Sequence, residues 1–200
     1  HNLSTMKVII PVAGIGSKLR PHTHTQPKAL VPVAGKPILS HIVDNLIEAG
    51  MREFIFIVGY LGDKVEEYIK TSYPGIVKNF IVQEPREGTG HAVWLARNHV
   101  NETDEVIIAL GDTIFDIQLR DVIGQPESAL GVKKVDDPRN FGVAELDEQG
   151  YIRQVVEKPP IPKSNLALVG IYKIKEGKQL MNALDKMISS GQRSHGEYHL

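Results

Sequence analysis

The chain has 200 residues, 42% hydrophobic and 24% charged, with a formal net charge of −1 and no cysteine. That length suits one domain, or one plus a fragment, and the composition supports a packed core and excludes a disordered chain. The near-zero charge argues against a nucleic-acid partner, the missing cysteines exclude a disulfide framework, a thiolate metal site and a cysteine nucleophile, and no apolar run approaches the ~18 residues needed to span a bilayer.

Residues 1–5, ahead of Met6, lack the apolar core of a signal peptide and read as an expression scar, with Met6 the expected natural start. The cysteine-free composition suits a reducing, cytoplasmic setting. Residues 7–12 are a short β-branched run, fit for a strand buried on both faces. A stretch rich in Gly and Pro follows to Pro37. Ile38, Ile42 and Leu46 then recur at four-residue steps, with Leu39, Val43 and Ile47 beside them. That spacing predicts an amphipathic helix with Gly50 as its C-cap. Residues 54–58 form the second predicted strand, and Asp63 is expected to cap a second helix carrying Val65, Tyr68 and Ile69. A third strand at 80–82, a third helix at 91–98 and a fourth strand at 105–110 complete the alternation. This order predicts an α/β fold, a mostly parallel Rossmann-like sheet with helices on both faces and right-handed crossovers.

The pattern changes after residue 112. Residues 129–135, 143–146, 152–156 and 166–174 read as strands separated by turns, and a late helix is expected over 176–188. No flexible run separates the halves, so residues 6–200 are read as one domain. Its nucleotide half runs over about 6–112 and its smaller, strand-rich substrate half over about 113–200. Open α/β sheets bind ligands at the carboxyl ends of their strands, so the site is expected there.

Three constellations could carry chemistry. Gly14-Ile15-Gly16-Ser17-Lys18-Leu19-Arg20-Pro21 directly follows the first strand. Its glycines allow close backbone approach to phosphate oxygens, and Lys18 adds a cation. A plain Gly-rich turn reads the same way. The dinucleotide fingerprint lacks its third glycine, where Leu19 stands, and the phosphate-loop pattern is absent. In Gln26-Pro27-Lys28-Ala29-Leu30-Val31-Pro32, Pro27 can present Lys28 rigidly to an α-phosphate; a solvated lysine is the alternative, and it is the reading kept for Lys36. Leu110-Gly111-Asp112 ends the fourth strand and puts a carboxylate where Mg²⁺ could use it, although an aspartate in a turn after a strand is common. The eight histidines form no metal signature and read as surface or capping residues.

Taken in order, these pieces resemble the sugar-1-phosphate nucleotidyltransferases, the family of glucose-1-phosphate thymidylyltransferases and UDP-glucose pyrophosphorylases. The family hallmark Gly-x-Gly-Thr/Ser-Arg-Leu-x-Pro, then Pro-Lys-x-Leu-x-Pro-Val and Lys-Pro, is matched by Gly14 to Pro21, by Pro27 to Val33, and by Lys36-Pro37. Gln83 and Gly88-Thr89-Gly90-His91-Ala92 look like its base-recognition segment, and Gly111-Asp112 like its metal aspartate. Phe141-Gly142-Val143, Glu157-Lys158-Pro159, Ser164-Asn165 and Val169-Gly170 resemble its sugar-binding series.

The resemblance implies the nucleotide-diphospho-sugar transferase fold. It implies that Gly14, Gly16, Ser17 and Lys18 hold a triphosphate, that Gln83, Gly88 and Thr89 meet the base, and that Asp112 binds Mg²⁺. Gly142, Glu157, Asn165 and Val169 would hold the sugar, and Lys158 its phosphate. The Gln83 and Gly88 pair favours dTTP or UTP, since a glutamine amide offers a donor and an acceptor to an imide edge. Lys18, Lys28 and Asp112 are the expected catalytic residues.

Two departures stand out. Lys18 replaces the usual Arg, whose fork an ammonium cannot reproduce, and Arg20 lies close enough in sequence to share the task. Gly196 to Leu200 resembles a segment that continues, in the family, to a second metal aspartate, so a C-terminal truncation is expected. Two rivals stay open. One is a non-catalytic nucleotide or sugar-nucleotide sensor of the same fold. The other is a nicotinamide-dependent enzyme, disfavoured by the absent third glycine. The identity of the sugar, and whether the chain forms a homo-oligomer, are left open.

Overall fold

The computed structural model describes residues 6–12, 26–85, 87–111, 114 and 118–191. Along these residues the strands are β1 (Met6–Pro11), β2 (Pro32–Val33), β3 (Lys36–Pro37), β4 (Glu53–Val58), β5 (Val77–Val82), β6 (Glu105–Ala109), β7 (Ala129–Lys134), β8 (Gly142–Leu146), β9 (Ile152–Glu157) and β10 (Leu166–Ile174). The helices are α1 (Ile38–Glu48), α2 (Gly62–Ser72), α3 (Thr89–Leu95), α4 (Leu119–Ile123) and α5 (Gly177–Ser190).

One sheet organises the molecule, in the order β5-β4-β1-β6-β10-β8-β9, with β7 on the other edge of β10. The pairs β5–β4, β4–β1 and β1–β6 are parallel, and β10 joins β6 antiparallel. Alternation along each strand divides the core. Val8, Ile10, Phe54, Phe56, Ile107 and Ala109 face one side, under α1, α2 and α4. Ile9, Ile55, Ile57, Val106 and Ile108 face the other, under α3 and α5. Burial on both faces is why these strands read as unbroken apolar runs. Phe56 is fully buried, with ring centroids 6.0 Å from Phe54 and 5.3 Å from Phe80. Truncating it to alanine would cost about 3–5 kcal/mol.

Helix α1 ends as its sequence suggests. Gly50 N–H donates to Ile47 O at 2.9 Å and Met51 N–H to Leu46 O at 2.9 Å, the paired bonds of a Schellman turn, with Gly50 at φ +101°. Helix α2 does not begin as expected. Leu61, at φ 55°, occupies the N-cap, and Asp63 lies inside the first turn with no capping hydrogen bond from a side chain. The turn closed by Gly62 N–H to Gly59 O (2.8 Å) delivers the chain into the helix one residue before Asp63, which there favours the helix dipole instead of capping.

At the amino end of β1 and β6, Lys7 and Asp104 form a buried ion pair at 2.8 Å. Lys7 Nζ also donates to His99 O at 2.7 Å, and Asp104 accepts Asn101 N–H at 2.6 Å. Removing one partner of such a pair typically costs about 3–5 kcal/mol.

Candidate functional site

Past the strand ends the backbone ladder continues for one more residue. Val12 N–H donates to Ile57 O at 2.8 Å, Gln83 N–H to Val58 O at 2.8 Å and Gly111 N–H to Pro11 O at 3.0 Å. These bonds tie the tails of β1, β4, β5 and β6 into a single carboxyl edge. Lys28 opens a short 3-10 turn over Lys28–Leu30, with Pro27 extended at its start. Ala29, 2% exposed, plugs the turn into the core under α1, so Lys28 stands on a rigid support.

At the β5 end of that edge, Gln83 is 4% exposed. Its side-chain Nε2 donates to Gly88 O at 3.1 Å and meets His91 Nδ1 at 2.9 Å. His91 Nε2 lies 3.4 Å from Glu87 Oε2, and the imidazole packs on Trp94 at 5.6 Å between centroids. Gly88 sits at φ +98°, a conformation closed to most side chains, and its carbonyl also takes Ala92 N–H at 3.0 Å. Thr89 is the first residue of α3. Both amide hydrogens of Gln83 are therefore spent within the protein. The expectation of a donor and an acceptor facing a ligand is corrected to an acceptor alone, because Gly88 O and His91 Nδ1 take the donors.

The second group lies where the sheet divides. Strand β10 pairs with β6 over Ile171–Ile174, and Ala167 further back pairs with Val143 of β8 on the same edge. Between them the register against β7 shifts, Gly170 takes φ +86°, and its carbonyl accepts Leu110 N–H at 3.0 Å. Gly142 pairs with Glu157 across β8 and β9, and a Cβ on Gly142 would come within 3.1 Å of Glu157 Oε2 and 3.0 Å of Leu168 Cδ1. A side chain there would press on the Glu157 carboxylate and the Leu168 side chain, which would have to shift by a few tenths of an ångström. Lys158 follows at φ 44° with its N–H bonded to Phe141 O at 3.0 Å. A non-glycine residue in the left-handed region costs roughly 1–2 kcal/mol, and such outliers cluster at ligand sites. Asn165 gives its carbonyl to Val135 N–H at 3.0 Å, and its side chain is exposed. Burial and then the charge of Glu157 push the Tyr172 phenol up.

Of the residues expected from sequence, Gln83, Gly88 and Thr89 thus gather at one end of the edge, and Gly142, Glu157, Lys158, Asn165 and Val169 at the other. Gly14, Gly16, Ser17, Lys18, Arg20 and Asp112 lie outside the described residues, as do His22, His24, His195 and His199. Lys36 pairs with Asp44 at 2.7 Å on the surface. His91 departs from the expected surface or capping histidines: it is 8% exposed and hydrogen-bonded to Gln83. Its place eight residues after Gln83, just beyond Gly88 at φ +98°, was the available signal. Among the described residues no cluster of three or more His, Asp or Glu could hold a metal, and no helix is long and apolar enough to cross a membrane. A cavity of about 260 Å³, lined by Asn45, Glu48, Ala49, Gln118, Leu119 and Arg120, lies at the far end of α1, away from this edge.

A sequence profile of the family described as Nucleotidyl transferase matches residues 7–197. The bifunctional protein GlmU of Methanocaldococcus jannaschii is 40% identical over 181 residues, which are 90% of this chain and 42% of that protein. A glucose-1-phosphate thymidylyltransferase of Streptomyces griseus is 36% identical over 173 residues, 84% of this chain and 48% of that one. The chain spans about half the length of these relatives. Among solved structures, a Bacillus anthracis chain assigned as a glucose-1-phosphate thymidylyltransferase, in complex with sucrose, superposes with a TM-score of 0.80 at 31% identity, covering 95% of this chain and 77% of that one.

Proposed function

The chain belongs to the nucleotidyl transferase family, and from that premise we propose that it joins dTTP or UTP to a sugar 1-phosphate, glucose 1-phosphate first among them, and releases pyrophosphate. One observation carries the reading. Two polar groups stand at opposite ends of the same carboxyl edge, Gln83 with Gly88 and His91 after β5, and Gly142 with Glu157 and Lys158 beside β10. Strands β4, β1 and β6 lie between β5 and β10. That span suits an extended ligand with a base at one end, a sugar at the other, and reacting phosphates over β1 and β6. The thymidylyltransferase from Streptomyces griseus supports the choice of glucose and of a pyrimidine.

In this reading an oxygen of the sugar 1-phosphate attacks the α-phosphorus in line. The bond from that phosphorus to the bridging oxygen breaks, and its electron pair leaves on pyrophosphate. A phosphate oxygen is already nucleophilic, so the protein supplies position and charge rather than a base. Lys158 holds the nucleophile; Gly142, Glu157, Asn165 and Val169 hold the sugar. Lys28 neutralises charge at the α-phosphate. Gly14, Gly16, Ser17 and Lys18 hold the departing phosphates, and Gln83, Gly88 and Thr89 the base. Asp112 would hold Mg²⁺, and the single carboxylate fits an ion that completes its shell with phosphate oxygens and water. Its chain neighbour Gly111 is pinned to Pro11 at the carboxyl edge, where those phosphates would lie. The bound ion would add charge neutralisation. The cytoplasm is the proposed compartment.

The test is a screen of pyrophosphate release by the full-length protein, pairing dTTP, UTP, GTP, CTP and ATP with several sugar 1-phosphates. The fastest release is expected from dTTP or UTP with glucose 1-phosphate. Nucleotide binding with no release for any pair would favour the non-catalytic sensor.

A further inference from the structure

The hydrogen bonds around Gln83 leave its amide a single orientation. Gly88 O can only accept, so the amino group of Gln83 faces it, at 3.1 Å. The same amino group lies 2.9 Å from His91 Nδ1, which must then be the unprotonated acceptor. The ring proton is left on Nε2, which lies 3.4 Å from Glu87 Oε2. Only Oε1 of Gln83 remains, and no described residue donates to it. No side-chain oxygen among the described residues is both buried and unpaired, so Oε1 opens to solvent although Gln83 as a whole is 4% exposed.

We propose that His91, with Glu87 behind it, is a positioning residue that locks Gln83 as an acceptor and thereby sets which base the crevice takes. The inference rests on the reading that Gln83 faces the base. An acceptor requires a ring N–H from its partner. Thymine and uracil bring one at N3. Cytosine brings an unprotonated N3, whose lone pair would face Oε1. Turning the amide over to suit cytosine would set the carbonyl of Gln83 against that of Gly88 and leave His91 Nδ1 without a donor. Guanine also carries a ring N–H, so its exclusion falls to other contacts.

Packing is the competing role for His91, since it is 8% exposed and lies against Trp94. Two substitutions separate the roles. His91→Phe keeps a ring on Trp94 and removes the acceptor. His91→Asn loses the ring and keeps an acceptor, Oδ1, near the position of Nδ1. The experiment is calorimetric titration of the intact protein with UTP and with CTP. The wild type should prefer UTP by about tenfold or more. His91→Phe should cut that preference to a few-fold, and His91→Asn should hold it within about twofold of the wild type. A full preference in His91→Phe with a lost one in His91→Asn would overturn the proposal in favour of packing. Long-range ¹⁵N–¹H NMR of the wild type at neutral pH gives a readout independent of how the variants fold. The proton is expected on Nε2 of His91; finding it on Nδ1 overturns the proposal. If the wild type binds neither UTP nor dTTP, the nucleotide reading of the crevice fails first, a result distinct from binding both UTP and CTP without preference, which sinks the positioning role alone.

Discussion

The backbone N–H of Leu110 donates to the carbonyl oxygen of Gly170 at 3.0 Å, joining β6 to β10 at the point where the sheet divides. Gly170 reaches that position at φ +86°, and a Cβ there would touch the Leu110 side chain at 3.4 Å. The contact is tolerable but the backbone angle is not, so Gly170→Ala should cost about 1–2 kcal/mol. The urea midpoint should fall with an unchanged slope. An unshifted midpoint would mean that the bulge relaxes without strain.

Gln83→Ala removes the Oε1 acceptor that the proposed reading gives to the base. UTP or dTTP affinity should drop about tenfold, the value of one buried hydrogen bond, with a smaller effect on turnover at saturation. Unchanged affinity would place base recognition elsewhere on the edge.

The sequence made the parallel core legible because its strands are buried on both faces. Residues 7–12, 54–58 and 105–110 carry little but apolar side chains, and each is a strand to within a residue or two. Gly50 marked the end of α1 for the same kind of local reason, a left-handed turn that its sequence permits. What stayed hidden depends on tertiary context. Strand β5 begins at Val77 rather than at residue 80, because this edge strand is only partly covered and Lys78 and Asn79 mask its pattern. The five-residue α4 is too short to show a period. The small hairpin of β2 and β3 turns through Ala34 and Gly35, both at positive φ, and Ala34 is a poor sequence signal for such a turn. Among the described site residues, the motifs named Gln83 and Gly88, but only the folded structure reveals that His91 and Gly88 consume both donors of Gln83.

Asp44 links three elements. It accepts Lys36 Nζ at 2.7 Å and the Tyr73 hydroxyl at 2.7 Å. Burial alone would raise its pKa, but the hydrogen bonds from Lys36 and Tyr73 outweigh burial and hold it below the usual value. Burial, followed by the bond to Asp44, pushes the Tyr73 phenol up, so Tyr73 remains the donor. A carboxyl whose folded pKa is depressed stabilises the protein above its unfolded pKa of about 3.9, and that stabilisation is lost as pH falls through the lower folded value. Urea midpoints of the wild type should therefore approach those of Asp44→Asn as pH drops from 7 to 3. A gap that stays constant over that range would remove Asp44 from the acid response.

Lys18, if it neutralises the departing pyrophosphate, matters more in the transition state than in the bound substrate. Lys18→Ala should lower kcat as well as kcat/KM, and Lys18→Arg should be tolerated or faster because a guanidinium forks onto phosphate. If Arg20 performs the task instead, Lys18→Ala will be near silent and Arg20→Ala will be crippled. Steady-state kinetics of both alanine variants on the same substrates separates the two.

Nucleotidyl transfer at this edge is tested most directly by ³¹P NMR of the intact protein with Mg²⁺, glucose 1-phosphate and either dTTP or UTP. Transfer predicts that triphosphate and sugar phosphate signals decline together while pyrophosphate and a sugar nucleotide grow in equal amounts. No change should occur without the sugar phosphate. Asp112→Asn should stop most of the conversion while keeping the urea midpoint of the wild type. A protein that binds the nucleotide yet leaves every phosphorus resonance unconverted, across a range of sugar 1-phosphates, would contradict the transferase assignment.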